Sequence, residues 1–473
     1  MNTLTRLLAF IFLAASLIGM PLVRGGNTEL ATMSFVLAVC CGLFLASVAS
    51  LRDFNSERSP RPAAWLPHLL WCLLLVWIGV QIIPLPASSL AALSPSSAVI
   101  HDAVESLGTE PYRSISIAPA RTLDAFFLTL GFYALYLLTQ RLCSDGGWTR
   151  SLLVVITLAG LTQAVYGVAS AKLGWKLPLL DVDSRISGVA NGTFPNRNHF
   201  AAYLCLTAGA CLALLLGAGR ESPHHGRRWR ARLRGLIDLV LGGYPLYRLA
   251  LLAIAIGVVM SASRMGNIAF GLGLSAAAVL WLLSTRRAGG FVTGLVFFVG
   301  VGLVDIAIIS GYFGLDKVVQ RIEDTDLARE ARPAVYRSAL PLLHEYRTTG
   351  SGLGTFPLAY QVNRPEGGRR YFDHAHNDYL EFTVDLGIPG VLLLGSLVLT
   401  HVLFALQGLR RQRTRHRALA VGLLLAFAAS LSHAALEFNF QIPAYAATFV
   451  VMMAMSTTLP RRRPRPASSI PGH

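Results

Sequence analysis

The sequence predicts an all-α, polytopic integral membrane protein, on three observations. Of 473 residues, 53% are hydrophobic and 14% charged, with mean hydropathy +0.53, whereas soluble domains carry roughly 25% charged residues. Apolar runs of about 20 residues, enough for a helix to cross the hydrocarbon core, recur throughout. The basic residues fall mainly in alternate connections between those runs. Backbone polar groups need internal partners in lipid, so the runs are predicted as helices.

In chain order the spans lie at 5–23, 30–51, 64–84, 121–140, 150–171, 199–219, 247–263, 265–285, 290–311, 385–409, 418–436 and 442–459, about twelve in all. With both termini on the inner, cytoplasmic face, the inner segments hold Arg52, Arg58, Arg61, Arg141 and Arg150. They also hold the basic run 220–234, Arg286 and Arg287, and the stretches 410–417 and 461–465. The short outer loops carry little beyond Arg24, Arg113 and a few residues near 172–197. This is the positive-inside bias, and a long translocated loop such as 312–384 does not count toward it. The net charge of +16 is therefore read as a topology signal facing membrane lipids, and no nucleic-acid partner is predicted.

The first run follows Arg6, and a second follows almost at once, which reads as an uncleaved helix rather than a signal peptide. All six cysteines lie in or beside apolar spans, so neither a disulfide framework nor a Cys–His metal site is indicated. No internal repeat of the kind that marks many transporters is found. Four regions follow: N-terminal spans with an outer cap loop (1–185), core spans (186–311), an outer loop domain (312–384), and C-terminal spans with a basic tail (385–473). Inside the loop, apolar spacing at Val335, Ala339, Leu342 and Leu343 predicts a helix over 327–346, lying along the membrane or over a cavity. Gly350-Ser-Gly-Leu-Gly-Thr355 breaks it. Without a lysine or a preceding strand it is weak as a phosphate loop, and Gly352 and Gly354 read as turns of close backbone approach.

The chemistry-bearing groups gather beside the outer ends of spans. His376 and Asn377 close the outer loop. A neutral imidazole there can accept and orient a hydroxyl proton without a metal; the alternative is an interfacial histidine capping the next helix. Asp373, His374 and Asp378 flank it and could hold a metal only if a loop made them converge. Arg264 sits in Ser261-Ala-Ser-Arg-Met-Gly266 between two apolar runs. At that depth a guanidinium wants an anion or a water-filled cavity, and its planar fork suits a diphosphate; the alternative is a snorkelling end-of-helix arginine. Arg332 and Arg337 fall on the loop helix, among Arg321, Arg329 and Arg347, suiting either an anionic substrate or a solvated face. Asn191-Gly-Thr-Phe-Pro-Asn-Arg-Asn-His199 brings Arg197, Asn198 and His199 to a span's start, where a helix N-terminus favours anions. His433 and Glu437, four residues apart in an apolar stretch, are expected to pair inside the bundle.

The ordered set resembles the O-antigen ligase and polymerase superfamily of bacterial polysaccharide glycosyltransferases. It comprises residues 191–204, the Ser-x-Ser-Arg turn at Arg264, the loop helix with Arg332, Gly352-Leu-Gly-Thr-Phe356, and His376-Asn-Asp-Tyr-Leu-Glu381 followed by Gly387-Ile-Pro-Gly390. The resemblance covers about 185–445; the N-terminal spans match in hydropathy only. It implies a multi-pass, GT-C-like protein of the bacterial inner membrane with its active site facing the periplasm. It also implies inverting, metal-independent, cofactor-free transfer of a glycan from undecaprenyl diphosphate to a hydroxyl acceptor: a growing glycan, lipid A–core, or a protein Ser or Thr. On it His376, Arg264 and Arg332 are catalytic; from their placement beside these, Asn377, Asp378, Arg197, Asn198, Arg337 and His374 are expected to bind substrate. Two positions depart from the family pattern: Tyr336 stands where members often have Trp, and Glu437 where Asp is common. The rival reading is a transporter of the bicarbonate-carrier type, using Arg264, His433 and Glu437 as an ion path.

Overall fold

The computed structural model describes residues 2–52, 65–108, 112–144, 147–175, 177, 188–218, 245–284, 331–362, 372–411 and 413–459. Among them are fifteen α-helices and no strand. The first two, α1 (Asn2–Leu22) and α2 (Glu29–Arg52), form a hairpin. Its turn needs Gly25 and Gly26, both at positive φ, where a Cβ would press on Phe194, Ile442 and Met20. Next come α3 (Trp65–Ile82), the short cap helices α4 (Ala87–Leu93) and α5 (Pro95–Glu105), then α6 (Pro119–Cys143) and α7 (Trp148–Leu173). The core contains α8 (Arg197–Gly217), α9 (Pro245–Met260) and α10 (Arg264–Ser284). The loop segment supplies α11 (Ala331–Tyr346) and α12 (Phe356–Val362), and the C-terminal part α13 (Asp378–Leu409), α14 (Thr414–Ala434) and α15 (Pro443–Ser456).

Eleven of the predicted spans fall on helices, and 290–311 lies outside the described residues. Among the described residues nine helices are long and apolar enough to cross a membrane, while Pro245–Met260 and Pro443–Ser456 are shorter. At 1.5 Å per residue the latter reaches only about 21 Å. The 3₁₀ turn Asn439–Gln441 precedes it, and Pro443 is its first residue.

The bundle is organised around α8, which is almost wholly buried, and α14. Gly209 meets Gly422 and Ala426, and Gly217 meets Ala418, so the two helices run antiparallel. A Cβ on Gly422 would sit 2.2 Å from the Gly209 carbonyl oxygen. Small residues let helix backbones approach closely where lipid offers no hydrophobic drive. Gly422→Val is accordingly expected to destabilise the bundle by about 3 kcal/mol through overpacking; an unchanged unfolding midpoint in detergent would contradict this contact. α10 runs parallel to α8: Gly266 lies against Ala201 and accepts from the Cys205 thiol, while Ser284 meets Arg417 at the far, basic end.

α13 starts seven residues before the predicted span, because Asn377 caps it by accepting from the Leu380 amide. Gly387 then breaks it at φ 65°, ψ 177°, and Pro389 lacks the N–H that would have bonded Asp385. The freed carbonyls are used. Asp385 accepts from Gly352 and Gln81, Leu386 from the Trp77 indole, and Val384 from Ser351. A Cβ on Gly350 would lie 2.2 Å from the Asp385 carbonyl oxygen, and one on Gly352 would strike Ser116. The glycine-rich loop is thus shaped for close approach to backbone, and Asp385 adds a carboxylate to the Gly354 amide. The predicted boundary between loop domain and C-terminal spans, 384/385, falls inside α13 three residues before its kink.

Candidate active site

The site is assembled where α8, α13 and α14 meet, at the end opposite Arg417 and Ser284. Each contributing segment arrives there for a local reason. Asn196 caps α8 by accepting from the Asn198 amide, which sets Arg197, Asn198 and His199 on its first turn. α14 ends at Ala434, so the chain beyond it turns and carries Glu437 and Phe438 across the bundle. Asn377 caps α13 and leaves His374, Ala375 and His376 as its lead-in.

Glu437 is the hub. It is fully buried, and its carboxylate accepts from the Asn198 side-chain amide, lies 3.2 Å from His376 Nδ1 and 3.9 Å from His199 Nε2. Its backbone carbonyl accepts from the Asp378 amide. The helix carrying His433 stops at Ala434, before Glu437, and Glu437 also reaches α8 and the segment leading into α13. Phe438 organises the imidazoles. His374 stacks on its face at 4.1 Å, and His199 and His376 stand edge-on at 4.4 and 4.9 Å. A buried carboxylate needs charged or hydrogen-bonding partners, and Asn198 and His376 supply hydrogen-bonding ones to Glu437.

His374 belongs to a second pair, with its Nδ1 2.7 Å from Glu381. Burial favours its neutral ring, but the Glu381 charge and hydrogen bond, with Asp373, outweigh this and hold its pKa above the usual imidazole value. The two histidines therefore address different carboxylates. Among the described residues no three His, Cys, Asp or Glu side chains converge as metal ligands.

The other expected residues are distributed as follows. Asn377 spends its side chain on the α13 cap. Asp378 is buried and turned inward, accepting from the Phe440 amide. Arg197 is half-buried on the first turn of α8. Arg264 is exposed at the first turn of α10, whose Gly266 packs on Ala201 one turn beyond Asn198. It follows a tight turn: Ala262 takes φ 49°, the Ser261 hydroxyl accepts from the Ser263 amide, and the Ser263 hydroxyl accepts from the Gly266 amide. Arg332 and Arg337 lie on α11, and their side chains are outside the described residues. Tyr336, between them, donates from its hydroxyl to the His376 carbonyl at 2.9 Å.

Sequence reasoning gave no role to Glu381 or Phe438, and did not foresee Asn198 and His376 as partners of Glu437. The available signal was a carboxylate inside an apolar stretch, which is costly unless used; its partners come from other segments, and spacing does not reveal them.

The fold and site together define a multi-pass, all-helical membrane protein with imidazoles, carboxylates and an arginine gathered at one end of its bundle. Residues 249–395 match a family model described as O-antigen ligase, a stretch that includes both Arg264 and His376. The match bears out the resemblance to the O-antigen ligase and polymerase superfamily, and supports a glycosyltransferase of that general type. No curated protein matches the chain.

Proposed function

We propose that the protein moves a glycan from undecaprenyl diphosphate to a hydroxyl acceptor, without a metal and with inversion, on the periplasmic side of the bacterial inner membrane. The observation that supports this best is the Asn198–Glu437–His376 chain. A buried carboxylate on His376 Nδ1 favours the tautomer with its proton on Nδ1, leaving Nε2 as an acceptor, and stabilises the imidazolium that forms. His376 is about a quarter exposed at its side chain while Glu437 is sealed, so the base faces substrate and its orienting group does not.

In the proposed reaction the acceptor oxygen attacks the anomeric carbon as His376 Nε2 takes its proton. The bond from that carbon to the carrier phosphate breaks on the opposite face, and the electron pair leaves with the lipid diphosphate. Arg264, with Arg332 from the loop helix, offsets the charge developing there. Arg197 and Arg337 attract the anionic donor. Asn377 and Asp378 serve this scheme by holding the imidazole segment, since both are committed to backbone amides. Asn198 serves it through Glu437, and His374 through Phe438 and Glu381.

The test is reconstitution of the purified chain in liposomes with an undecaprenyl-diphosphate-linked glycan, offering lipid A–core or a second carrier-linked glycan as acceptor. The expected result is an extended product of inverted anomeric configuration, with free undecaprenyl diphosphate, in chelator as well as without it. Donor left intact with both acceptors would rule the reading out. Whichever acceptor is extended separates ligase from polymerase.

A further inference from the structure

His376 stands in the left-handed region, at φ 51°, which a residue with a side chain rarely occupies unless its surroundings hold it. Four contacts hold the segment around it. The Glu381 carboxylate binds His374 Nδ1 with one oxygen at 2.7 Å, and accepts from the Ala375 amide with the other at 2.9 Å. The Tyr336 hydroxyl donates to the His376 carbonyl at 2.9 Å, and Asn377 is fixed by capping α13. Glu381 is 2% exposed, within the first turn of α13, so it is set on a helix rather than on the segment it grips. His374 in turn stacks on Phe438, whose ring also flanks His376.

We infer that Glu381, assisted by Tyr336, is a positioning residue that holds His376 in its left-handed conformation with Nδ1 facing Glu437. The inference rests on the reading of His376 as the base. Glu381 does not reach the reacting atoms. It grips the two residues before His376, and Tyr336 grips the carbonyl after it. Releasing either grip lets the backbone return toward an ordinary φ, which swings the imidazole away from Glu437. A shift of about 1 Å in a catalytic group costs on the order of 100-fold in rate without weakening substrate binding. Tyr336 stands where the resembling family often has Trp, and in this chain its hydroxyl is the donor that reaches the His376 carbonyl.

The experiment compares Glu381→Ala, Glu381→Gln, Tyr336→Phe and His376→Ala in the full chain reconstituted in lipid. Transfer is measured with the undecaprenyl-diphosphate-linked glycan as donor and each of the two acceptors above. Nitrogen NMR of labelled histidine, with His376 assigned by its loss in His376→Ala, reports the tautomer and does not depend on turnover. Glu381→Ala is expected to lower kcat about 100-fold with donor KM within about twofold, and to replace the single Nδ1-protonated His376 signal by a mixture. Glu381→Gln keeps an oxygen for the Ala375 amide and is expected to recover most of both. Tyr336→Phe is expected to fall between. An unchanged His376 signal, or kcat within about twofold of wild type in Glu381→Ala, overturns the inference. If Glu381→Ala does not fold, the same criteria apply to Tyr336→Phe. Undiminished transfer by His376→Ala would instead overturn the assignment of the base.

Discussion

Replacing His376 by alanine is expected to lower glycan transfer on the order of 1,000-fold, within the range for loss of a general base. The protein should still insert and fold. His376 is partly exposed and contributes one side-chain contact to Glu437 and one ring edge to Phe438, whereas Asn198 continues to satisfy the Glu437 carboxylate. The variant should therefore reach the membrane at wild-type level, with its unfolding midpoint little changed. Donor binding, assigned to the arginines, should persist, so the defect belongs in kcat. The measurement is turnover in liposomes beside a binding isotherm for the carrier-linked glycan. Wild-type turnover would remove the imidazole from the mechanism.

Glu437→Gln is the second large effect, and its reasoning turns on which atom faces which. Asn198 donates its amide to one Glu437 oxygen, and His376 Nδ1 faces the other. A glutamine in that place turns its carbonyl to the Asn198 donor and its NH₂ to His376. Nδ1 must then accept, so the ring proton moves to Nε2, the atom that should take the proton of the acceptor hydroxyl. Almost no volume changes, yet the imidazole is in the wrong tautomer. A loss of 100-fold or more, roughly that of a removed base, is expected in kcat. Glu437→Asp keeps the charge but is one methylene short, and should retain more activity than the glutamine variant. Equal activity of wild type and Glu437→Gln would show that the carboxylate does not set the tautomer.

The helical membrane architecture was legible in the sequence because lipid permits so few solutions. The spans at 5–23 and 199–219 could be placed to within a few residues from apolar length alone. The start of α13 could not. Its first turn, Asp378 to Glu381, carries two carboxylates that hydropathy counts as loop. They are tolerable there because Asp378 caps the Phe440 backbone and Glu381 binds His374 and Ala375. Those partners lie on other turns and other segments.

The candidate site divides the same way. His376, Arg264 and Asn198 stood out as polar groups beside apolar runs, and their residue types announce proton transfer and anion binding. Glu437 stood out too, but nothing in its spacing pointed to Asn198 or His376 as its partners. Glu381 stood only as the end of the His376–Glu381 motif, with no role read from it, and Phe438 carried no signal, since a phenylalanine in an apolar stretch is ordinary.

What the chain determined by itself was that it must cross a membrane many times and keep a few costly polar groups beside the ends of its spans. Apolar length and charge placement are local properties, and each segment carries its own. Which carboxylate faces which imidazole was decided only by the tertiary structure. The Gly209–Gly422 contact draws α8 and α14 together, the end of α14 at Ala434 sends Glu437 across to Asn198, and the cap at Asn377 brings His376 down to meet it. Hydrogen bonds act over about 3 Å, and only packing sets distances that short between segments far apart in sequence.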